Sequence, residues 1–280
     1  MKTIPPDTTT PFGGLAPGRR AKLAWWLATL PWPTAVKRRI RRAARRHRGP
    51  FDTAVKAGGI ALRFRAYPAE NYCDRVLFGQ GRLPEIEEHE ALMPHLAPGM
   101  TFVDIGANVG SYCVFVGAHA PAARILAFEP HPRTAAKLRF NLAANGIEAQ
   151  VVEAAVGERE GRMKLWSDGG GNIGQTSLLP EATSNAKVSV EVPVTTLADA
   201  LAGSDIPHID LLKIDVEGFE DRALAGFLAF SPKAAASLPG AILLEEEHAH
   251  LWESDLRDRL ATLGYRATFR TAQNVLYVKS

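Results

Sequence analysis

Residues 102–110, with the sequence FVDIGANVG, combine an acidic residue and two glycines at a place where a strand is followed by a helix. Gly106 and Gly110 let a ligand approach the backbone closely, and the start of the helix presents free N–H groups. Asp104, near the end of the strand, can accept hydrogen bonds from an amino or hydroxyl group. A dinucleotide-binding turn has the pattern GxGxxG instead. The spacing therefore favours a ligand with an amino end and without a pyrophosphate.

A second acidic residue, Glu129, follows the next predicted strand and stands 23 residues beyond Gly106. In doubly wound sheets an acid at this place binds the hydroxyl groups of a ribose. A carboxylate just before a helix is also stabilised by the helix dipole without any ligand. In combination with Asp104, Glu129 favours the binding of a nucleoside.

A third segment, residues 211–220 with the sequence LLKIDVEGFE, places charges in an otherwise apolar strand. Lys213 and Asp215 lie toward the carboxyl edge of the predicted sheet, where ligands bind in this type of fold. Asp215 and Glu217 can point to the same side of an extended segment, and two neighbouring carboxylates can supply a base. Glu220 is better explained as a cap of the next helix.

The elements that position these residues alternate between strands and helices from residue 100 onward. Strands are predicted at residues 101–105, 124–128, 149–152, 188–194, 209–214, 241–244, 267–270 and 275–278. Helices are predicted at 84–97, after 110, at 132–145, after 196, and at about 218–229 and 253–263. Repeated strand–helix units predict a largely parallel sheet covered on both faces. The last two strands are joined by a few residues and should pair antiparallel.

The charge is distributed unevenly along the 280 residues. Residues 1–50 hold 12 of the 33 Lys and Arg residues and a single acid, which gives +11, and the other 230 residues carry −8. This basic arm contains Trp25, Trp26 and Trp32, a combination suited to the surface of an anionic membrane. Packing of the tryptophans on the globular domain explains the pattern equally well, and nucleic-acid binding ranks third.

Several other features limit the possible classes of protein. Cys73 and Cys113 are too few for a disulfide framework or a zinc site, and no apolar run reaches the length of a membrane span. A cytoplasmic protein is therefore expected, and residues 19–48 suggest association with the inner membrane surface. Residues 169–179 are predicted to form a flexible lid or a plain hairpin loop. The acidic and histidine-rich residues 244–250 are predicted to be a solvated loop with no metal, although they offer ligands for a divalent cation.

Together the segments DIGANVGSYC, FEPHP and LKIDVEGFE resemble the signature segments of the FkbM family of S-adenosylmethionine-dependent methyltransferases, in the expected order. The resemblance spans residues 85–247. It implies the class I methyltransferase fold, an α/β Rossmann-like doubly wound sheet that is mostly parallel and ends in an antiparallel strand. The expected domains are a basic, partly disordered arm at 1–50, a small β-hairpin unit at 51–83 and the methyltransferase domain at 84–280.

The resemblance also assigns roles to residues around the cofactor, S-adenosylmethionine. The methionine end would lie against Asp104, Gly106, Ala107, Asn108 and Gly110, and the ribose against Glu129. The adenine would be flanked by Glu153, Ala154 and Ala155. Asp215 is expected to act as the base, assisted or replaced by Glu217, with Lys213 tuning their charge.

The resulting functional hypothesis is O-methylation of a hydroxyl group on a small-molecule, sugar or lipid-linked acceptor. Two alternatives remain open at this point. One is an RNA or protein methyltransferase whose arm holds a polyanion, which the acidic charge of residues 51–280 disfavours. The other is a non-catalytic membrane-binding protein with a degenerate cofactor fold. Deleting residues 1–50 is expected to spare cofactor binding and to change location or acceptor access.

Overall fold

A seven-stranded sheet forms the centre of the protein in the computed structural model, which describes residues 5–167, 176–183, 187–228 and 238–280. The helices are α1 (Arg19–Thr29), α2 (Thr34–Ala44), α3 (Tyr72–Gly79), α4 (Ile86–Leu92), α5 (Ser111–His119), α6 (Pro132–Ala144), α7 (Leu197–Ala202), α8 (Glu220–Leu228) and α9 (Leu256–Thr262). The strands are β1 (Phe51–Ala57), β2 (Ile60–Ala66), β3 (Thr101–Ile105), β4 (Arg124–Phe128), β5 (Gln150–Val152), β6 (Ala155–Val156), β7 (Gly161–Ser167), β8 (Thr176–Ser177), β9 (Val188–Thr195), β10 (Leu211–Ile214), β11 (Ala241–Glu245), β12 (Tyr265–Arg270) and β13 (Asn274–Lys279).

The central sheet has the strand order β12-β13-β11-β10-β3-β4-β5. The neighbours from β11 to β5 are parallel, whereas β13 is antiparallel to both β11 and β12. This arrangement confirms the predicted fold class, including the antiparallel strand at the carboxyl end. Because β3 and β10 are in register, Asp104 lies directly opposite Lys213. The two charged residues are therefore neighbours within the sheet.

The inner strands are buried on both faces, which explains their continuous apolar runs. Every residue of β3 and β10 is buried. Val103 and Ile105 face one part of the core together with Ile214, and Phe102 faces the other part. Asp104 therefore lies on the same side of β3 as Phe102, because successive side chains alternate.

The helices after the strands begin and end close to the predicted residues. In α6, the His131 side chain accepts a hydrogen bond from the Arg133 N–H, Pro132 occupies the first turn, and Gly146 follows the end with φ +69°. In α7, Thr196 accepts a hydrogen bond from the Asp199 N–H, as its N-cap position predicts.

The insert after β5 adds a second sheet with the order β6-β9-β7-β8, in which β7 and β9 pair antiparallel over seven positions. It packs Leu165, Val192 and Val194 into the core beside β3. Most of the proposed lid at 169–179 lies outside the described residues, and residues 176 and 177 form β8.

The described part of the basic arm forms two helices, α1 and α2, and α1 packs against both α2 and α3. Trp25 is 1% exposed and packs in a small core cluster with Ala44 and Phe78, whereas Trp26 and Trp32 are exposed. The preceding tail is held by Arg65, whose guanidinium donates hydrogen bonds to the backbone carbonyls of residues 7, 10 and 11. Among the described residues, no helix is both long and apolar enough to cross a membrane.

Candidate active site

A cavity of about 420 Å³ lies at the carboxyl ends of the central parallel strands, the usual place for ligands in such sheets. It is lined by nine of the residues singled out in the sequence: Gly106, Ala107, Asn108, Glu129, Ala154, Ala155, Lys213, Asp215 and Glu217. The structure thus brings the three sequence segments together around one space.

Three of the predicted site residues do not line this cavity. Asp104 is completely buried, where it accepts a hydrogen bond from the Cys113 thiol and pairs with Lys213. Gly110 packs against the α6 helix, and a Cβ at this position would lie 2.5 Å from Leu138. Glu153 is largely exposed and pairs with Arg139. Their predicted contacts with the cofactor therefore stay predictions.

The turn after β3 comes very close to the end of β10. Gly106 has φ +83°, and a Cβ there would lie 1.9 Å from the backbone oxygen of Asp215. Asn108, two residues further, also has a positive φ of 51°. The absence of a side chain at Gly106 is therefore required for the turn after β3 and the end of β10 to approach so closely.

Glu129 is held by the backbone on both sides of the cavity. One of its oxygens accepts the Asn108 N–H at 3.0 Å and the other accepts the His131 N–H at 2.9 Å. Burial raises the pKa of this carboxyl to about 7. Each oxygen can accept a further hydrogen bond, so Glu129 is suited to hold two ribose hydroxyls. With the open backbone at Gly106 and the small side chains of Ala154 and Ala155, the site fits S-adenosylmethionine.

Lys213 lies between the cavity and the buried carboxylate of Asp104. Its ammonium lies 3.3 Å from an oxygen of Asp215 and 3.6 Å from one of Asp104, and the Lys213 side chain is only 4% exposed. Burial alone lowers the pKa of Lys213, but the charges of Asp215 and Asp104 outweigh it, and the pKa is raised overall. Lys213 is therefore the cation that balances both carboxylates.

Glu217 differs from Asp215 in its surroundings. Burial and the charge of Asp215 raise the pKa of Glu217 to about 9, and burial similarly raises that of Glu245 to about 10.

His248 lies 3.4 Å from Glu217 and 3.2 Å from Glu245, and the ligand atoms of all three lie within 4.8 Å of one another. Two carboxyls and an imidazole could hold a divalent cation. The absence of a metal expected from the sequence stays a prediction.

Several residues of the cavity were missed by the sequence analysis because they precede the strand–helix repeats. Asn71 caps α3 and donates a hydrogen bond to the side chain of Asn108 at 2.8 Å. Glu85 accepts the Tyr112 hydroxyl, and burial together with the charge of Asp215 raises its pKa to about 7. A polar residue before an apolar helix signals a cap, but nothing in the spacing indicates a contact across 37 residues.

The strand order and the polar groups at the carboxyl edge define a class I methyltransferase. The sequence matches the family described as the methyltransferase FkbM domain over residues 104–267, which is more than half of the chain. The chain therefore belongs to the FkbM methyltransferase family, which confirms the resemblance and S-adenosylmethionine as the cofactor.

Two curated relatives illustrate the similarity. The 31-O-demethyl-FK506 methyltransferase FkbM of Streptomyces tacrolimicus is 30% identical over 157 residues, covering 47% of this chain and 60% of the relative. The 2-O-methyltransferase NoeI of Sinorhizobium fredii (strain NBRC 101917 / NGR234) is 29% identical over 143 residues, covering 46% and 58%. The matched part thus spans about three fifths of the length of each relative.

Solved structures are similar at lower identity. The T. thermophilus 16S rRNA N2 G1207 methyltransferase (RsmC), in complex with AdoMet and guanosine, has a TM-score of 0.45 at 16% identity, covering 82% of this chain and 50% of that one. The precorrin-6y C5,15-methyltransferase from Geobacter metallireducens GS-15 has a TM-score of 0.43 at 14% identity, covering 71% and 90%.

Proposed function

We propose that the protein transfers the methyl group of S-adenosylmethionine to a hydroxyl group of a small-molecule acceptor, including sugar or lipid-linked molecules. The observation that carries this proposal is the position of Asp215. Its carboxylate lines the same cavity as Glu129 and the Gly106 turn, and Lys213 provides its countercharge at 3.3 Å. A carboxylate beside the cofactor can take the proton that a hydroxyl group loses on methylation.

The chemistry divides between the cofactor and the chain. The sulfonium of S-adenosylmethionine supplies an activated methyl group. The Gly106 turn and Glu129 hold the nucleoside and fix its orientation. Asp215 accepts the proton of the acceptor, and Lys213 limits the build-up of negative charge. Glu217, with its pKa raised to about 9, is protonated at neutral pH and is suited to donate a hydrogen bond to the acceptor.

The names of the relatives support a hydroxyl acceptor. Both the 31-O-demethyl-FK506 methyltransferase and the 2-O-methyltransferase NoeI are described as acting on oxygen. The arm, α3 and Glu85 lie outside the matched residues 104–267 and contribute part of the cavity wall. Residues outside the family-matched range are therefore placed to take part in recognising the acceptor.

Calorimetric titration with S-adenosylhomocysteine tests the cofactor site. We expect saturable binding by the wild-type protein and an affinity lower by about tenfold in Glu129→Gln, which loses acceptor strength toward the ribose. Glu158→Gln, at an exposed residue outside the cavity, is the matched control and should bind normally. Failure of the wild-type protein to bind would overturn the proposal.

The base is tested separately from the cofactor site. A cell extract is incubated with labelled S-adenosylmethionine and either wild-type protein or Asp215→Asn. The wild-type protein should label a hydroxyl-bearing product, whereas the variant should bind S-adenosylhomocysteine but transfer label at least about a hundredfold more slowly. Equal labelling by both proteins would rule out Asp215 as the base.

Peripheral contact with an anionic membrane is a separate proposal about location. Leu23, Trp26, Trp32 and Val36, which lie in α1, in α2 or between them, are between 39% and 56% exposed within a strongly basic segment. Exposed indoles with neighbouring cations suit a lipid interface. Flotation with phosphatidylglycerol vesicles should recover the wild-type protein, and the double variant Trp26→Ala/Trp32→Ala should stay with the unbound fraction. Equal recovery of the two would contradict the proposal.

A further inference from the structure

Two arginines line the cavity from elements that precede the family-matched residues. Arg41 lies on α2 and Arg75 on α3, and both share the cavity with Asn108, Asp215 and Glu217. Arg45, one turn beyond Arg41, adds a third positive charge that acts on Arg75. Positive charge is therefore concentrated on one wall of the space in which methyl transfer takes place.

Among the described residues, these three half-buried arginines lack the carboxylate partners that other cations have, and Arg75 instead lies 5.8 Å from the centroid of the Tyr72 ring. Arg65, Arg133 and Lys137 each pair with at least one carboxylate. Within the described ranges, no carboxylate lies within ion-pair distance of Arg41, Arg45 or Arg75, and the Nε atoms of Arg41 and Arg75 are buried without an acceptor.

Burial, reinforced by Arg41 and Arg45, lowers the pKa of Arg75 to about 10. A guanidinium whose Nε is buried without an acceptor is costly, and an anion that enters the cavity reduces that cost.

The arginines line the same cavity as the candidate cofactor residues but lie outside the family-matched part of the sequence. Residues 104–267 match the family and include the Gly106 turn, Glu129 and Asp215. Members of one methyltransferase family share the cofactor, whereas their acceptors differ. The cavity wall formed by α2 and α3 lies outside the family-matched residues 104–267. Recognition of a particular acceptor is therefore expected at this wall.

The geometry points to an anion-binding subsite, formed by Arg41 and Arg75 with Arg45 in support, that takes a phosphate or similar monoester on the methyl acceptor. This inference rests on the proposed function, because it identifies the acceptor of the same site. Guanidinium groups bind phosphate oxygens in a bidentate manner, so the subsite also orients the acceptor hydroxyl toward Asp215. The anion belongs to a soluble phosphorylated molecule or to a lipid headgroup.

Calorimetry with sodium pyrophosphate as the probe tests the subsite in full-length protein saturated with S-adenosylhomocysteine at constant ionic strength. The wild-type protein should bind the probe saturably. Arg41→Gln and Arg75→Gln should each weaken this binding by more than about tenfold, because a charged hydrogen-bond donor is lost. Arg38→Gln and Arg42→Gln, at exposed residues of the same helix, are matched controls and should stay within about twofold.

Arg75→Lys keeps the charge and provides a second readout if Arg75→Gln fails to fold. It should retain more affinity for pyrophosphate than Arg75→Gln does. Absence of saturable binding by wild-type protein, or equal losses in the variants and the exposed controls, would overturn the inference. The proposed function would stand in that case, because binding of S-adenosylhomocysteine is measured first and independently.

A second titration tests whether the arginines bind an anionic group of the acceptor or the carboxylate of the cofactor. S-adenosylhomocysteine carries a carboxylate, and methylthioadenosine does not. The Arg75→Gln variant should bind both with nearly wild-type affinity. A loss confined to S-adenosylhomocysteine would assign the arginines to the cofactor carboxylate and overturn the acceptor subsite.

Competition identifies the source of the bound anion. Glucose 6-phosphate that displaces pyrophosphate supports a soluble acceptor, and vesicles containing phosphatidic acid that displace it support a lipid-linked one. Failure of both competitors would contradict a monoester subsite.

Discussion

At the scale of single residues, the sequence predicted which side chains meet but not how deeply each is buried. Asp104, Glu129, Lys213 and Asp215 come together as the strand order requires, because the ends of parallel strands share one edge. The alternation of side chains along β3 places Asp104 beneath the cavity. That depth depends on α5 covering β3, which no local pattern in the sequence indicates.

Replacing Lys213 should destabilise the fold as well as remove activity. In Lys213→Met, the completely buried Asp104 loses its cation, and the free energy of unfolding should fall by about 3 kcal/mol. Urea unfolding measures this effect. The double variant Asp104→Asn/Lys213→Met should recover part of the loss, because no buried charge is left unpaired.

The exposed control Lys164→Met should change the free energy of unfolding by less than about 0.5 kcal/mol. An equal loss in this control and in Lys213→Met would contradict the central role of the buried cation.

His89 should make the protein sensitive to acid. Burial lowers its pKa from 6.5 to about 4, so the stability that it contributes is complete above pH 6.5 and is lost as the pH falls through 4. The loss amounts to about 3 kcal/mol. His89→Phe keeps a ring to stack on Tyr112, and its unfolding free energy should fall less steeply between pH 6.5 and 4 than that of the wild-type protein.

His95→Phe, at a partly exposed residue, is the control for the His89 experiment. It should follow the wild-type pH dependence. Parallel pH curves for His89→Phe and the wild-type protein would show that His89 does not contribute to acid unfolding.

At the scale of elements, the apolar runs and their boundaries predicted most of the sheet. Strands β3 and β4 begin and end at the predicted residues. The helix α3 was not expected, because residues 51–83 were interpreted as a hairpin unit, and the helices α1 and α2 depend on packing around Trp25. In the insert, β9 was predicted at residues 188–194, whereas β6, β7 and β8 were missed. Strands β6 and β8 have only two residues each and depend on pairing with β9 and β7.

The turn after β3 should tolerate no side chain. Gly106→Ala combines a positive φ with a Cβ 1.9 Å from a backbone oxygen, and it should cost more than about 2 kcal/mol of stability and abolish binding of S-adenosylhomocysteine. Gly264→Ala is the matched control. It has φ +89° and nothing within 4 Å, so only the backbone strain of about 1 kcal/mol remains. Similar unfolding midpoints for the two variants would contradict the role of the close approach.

At the scale of the whole molecule, the sequence shows that residues 1–50 are basic and residues 51–280 acidic. It does not show that residues 1–50 pack on the rest of the protein. The tail is bonded to Arg65, which is 1% exposed, and α2 contributes to the cavity wall. Charge counts along the chain predict which segment is basic, whereas they contain no information about where that segment docks. The arm therefore takes part in the stability of the fold and in the shape of the site.

Two truncations separate these contributions. A protein lacking residues 1–18 loses three carbonyl acceptors of Arg65 and should be less stable by about 3 kcal/mol, with unchanged binding of S-adenosylhomocysteine and pyrophosphate. A protein lacking residues 1–50 should keep cofactor binding if it remains folded, but lose affinity for pyrophosphate together with Arg41. Retention of pyrophosphate binding in the longer truncation would place the anion elsewhere.

The contribution of α2 to the cavity has a consequence for how such enzymes diversify. Because α2 forms part of the cavity wall, the basic arm cannot be exchanged between relatives as an independent targeting sequence. On the proposed function, replacing residues 1–50 by an unrelated segment should change which molecules are accepted, although Gly106, Glu129, Lys213 and Asp215 are all retained. Conversely, random mutagenesis confined to α2 offers a route to new acceptors that leaves the methyl donor site untouched.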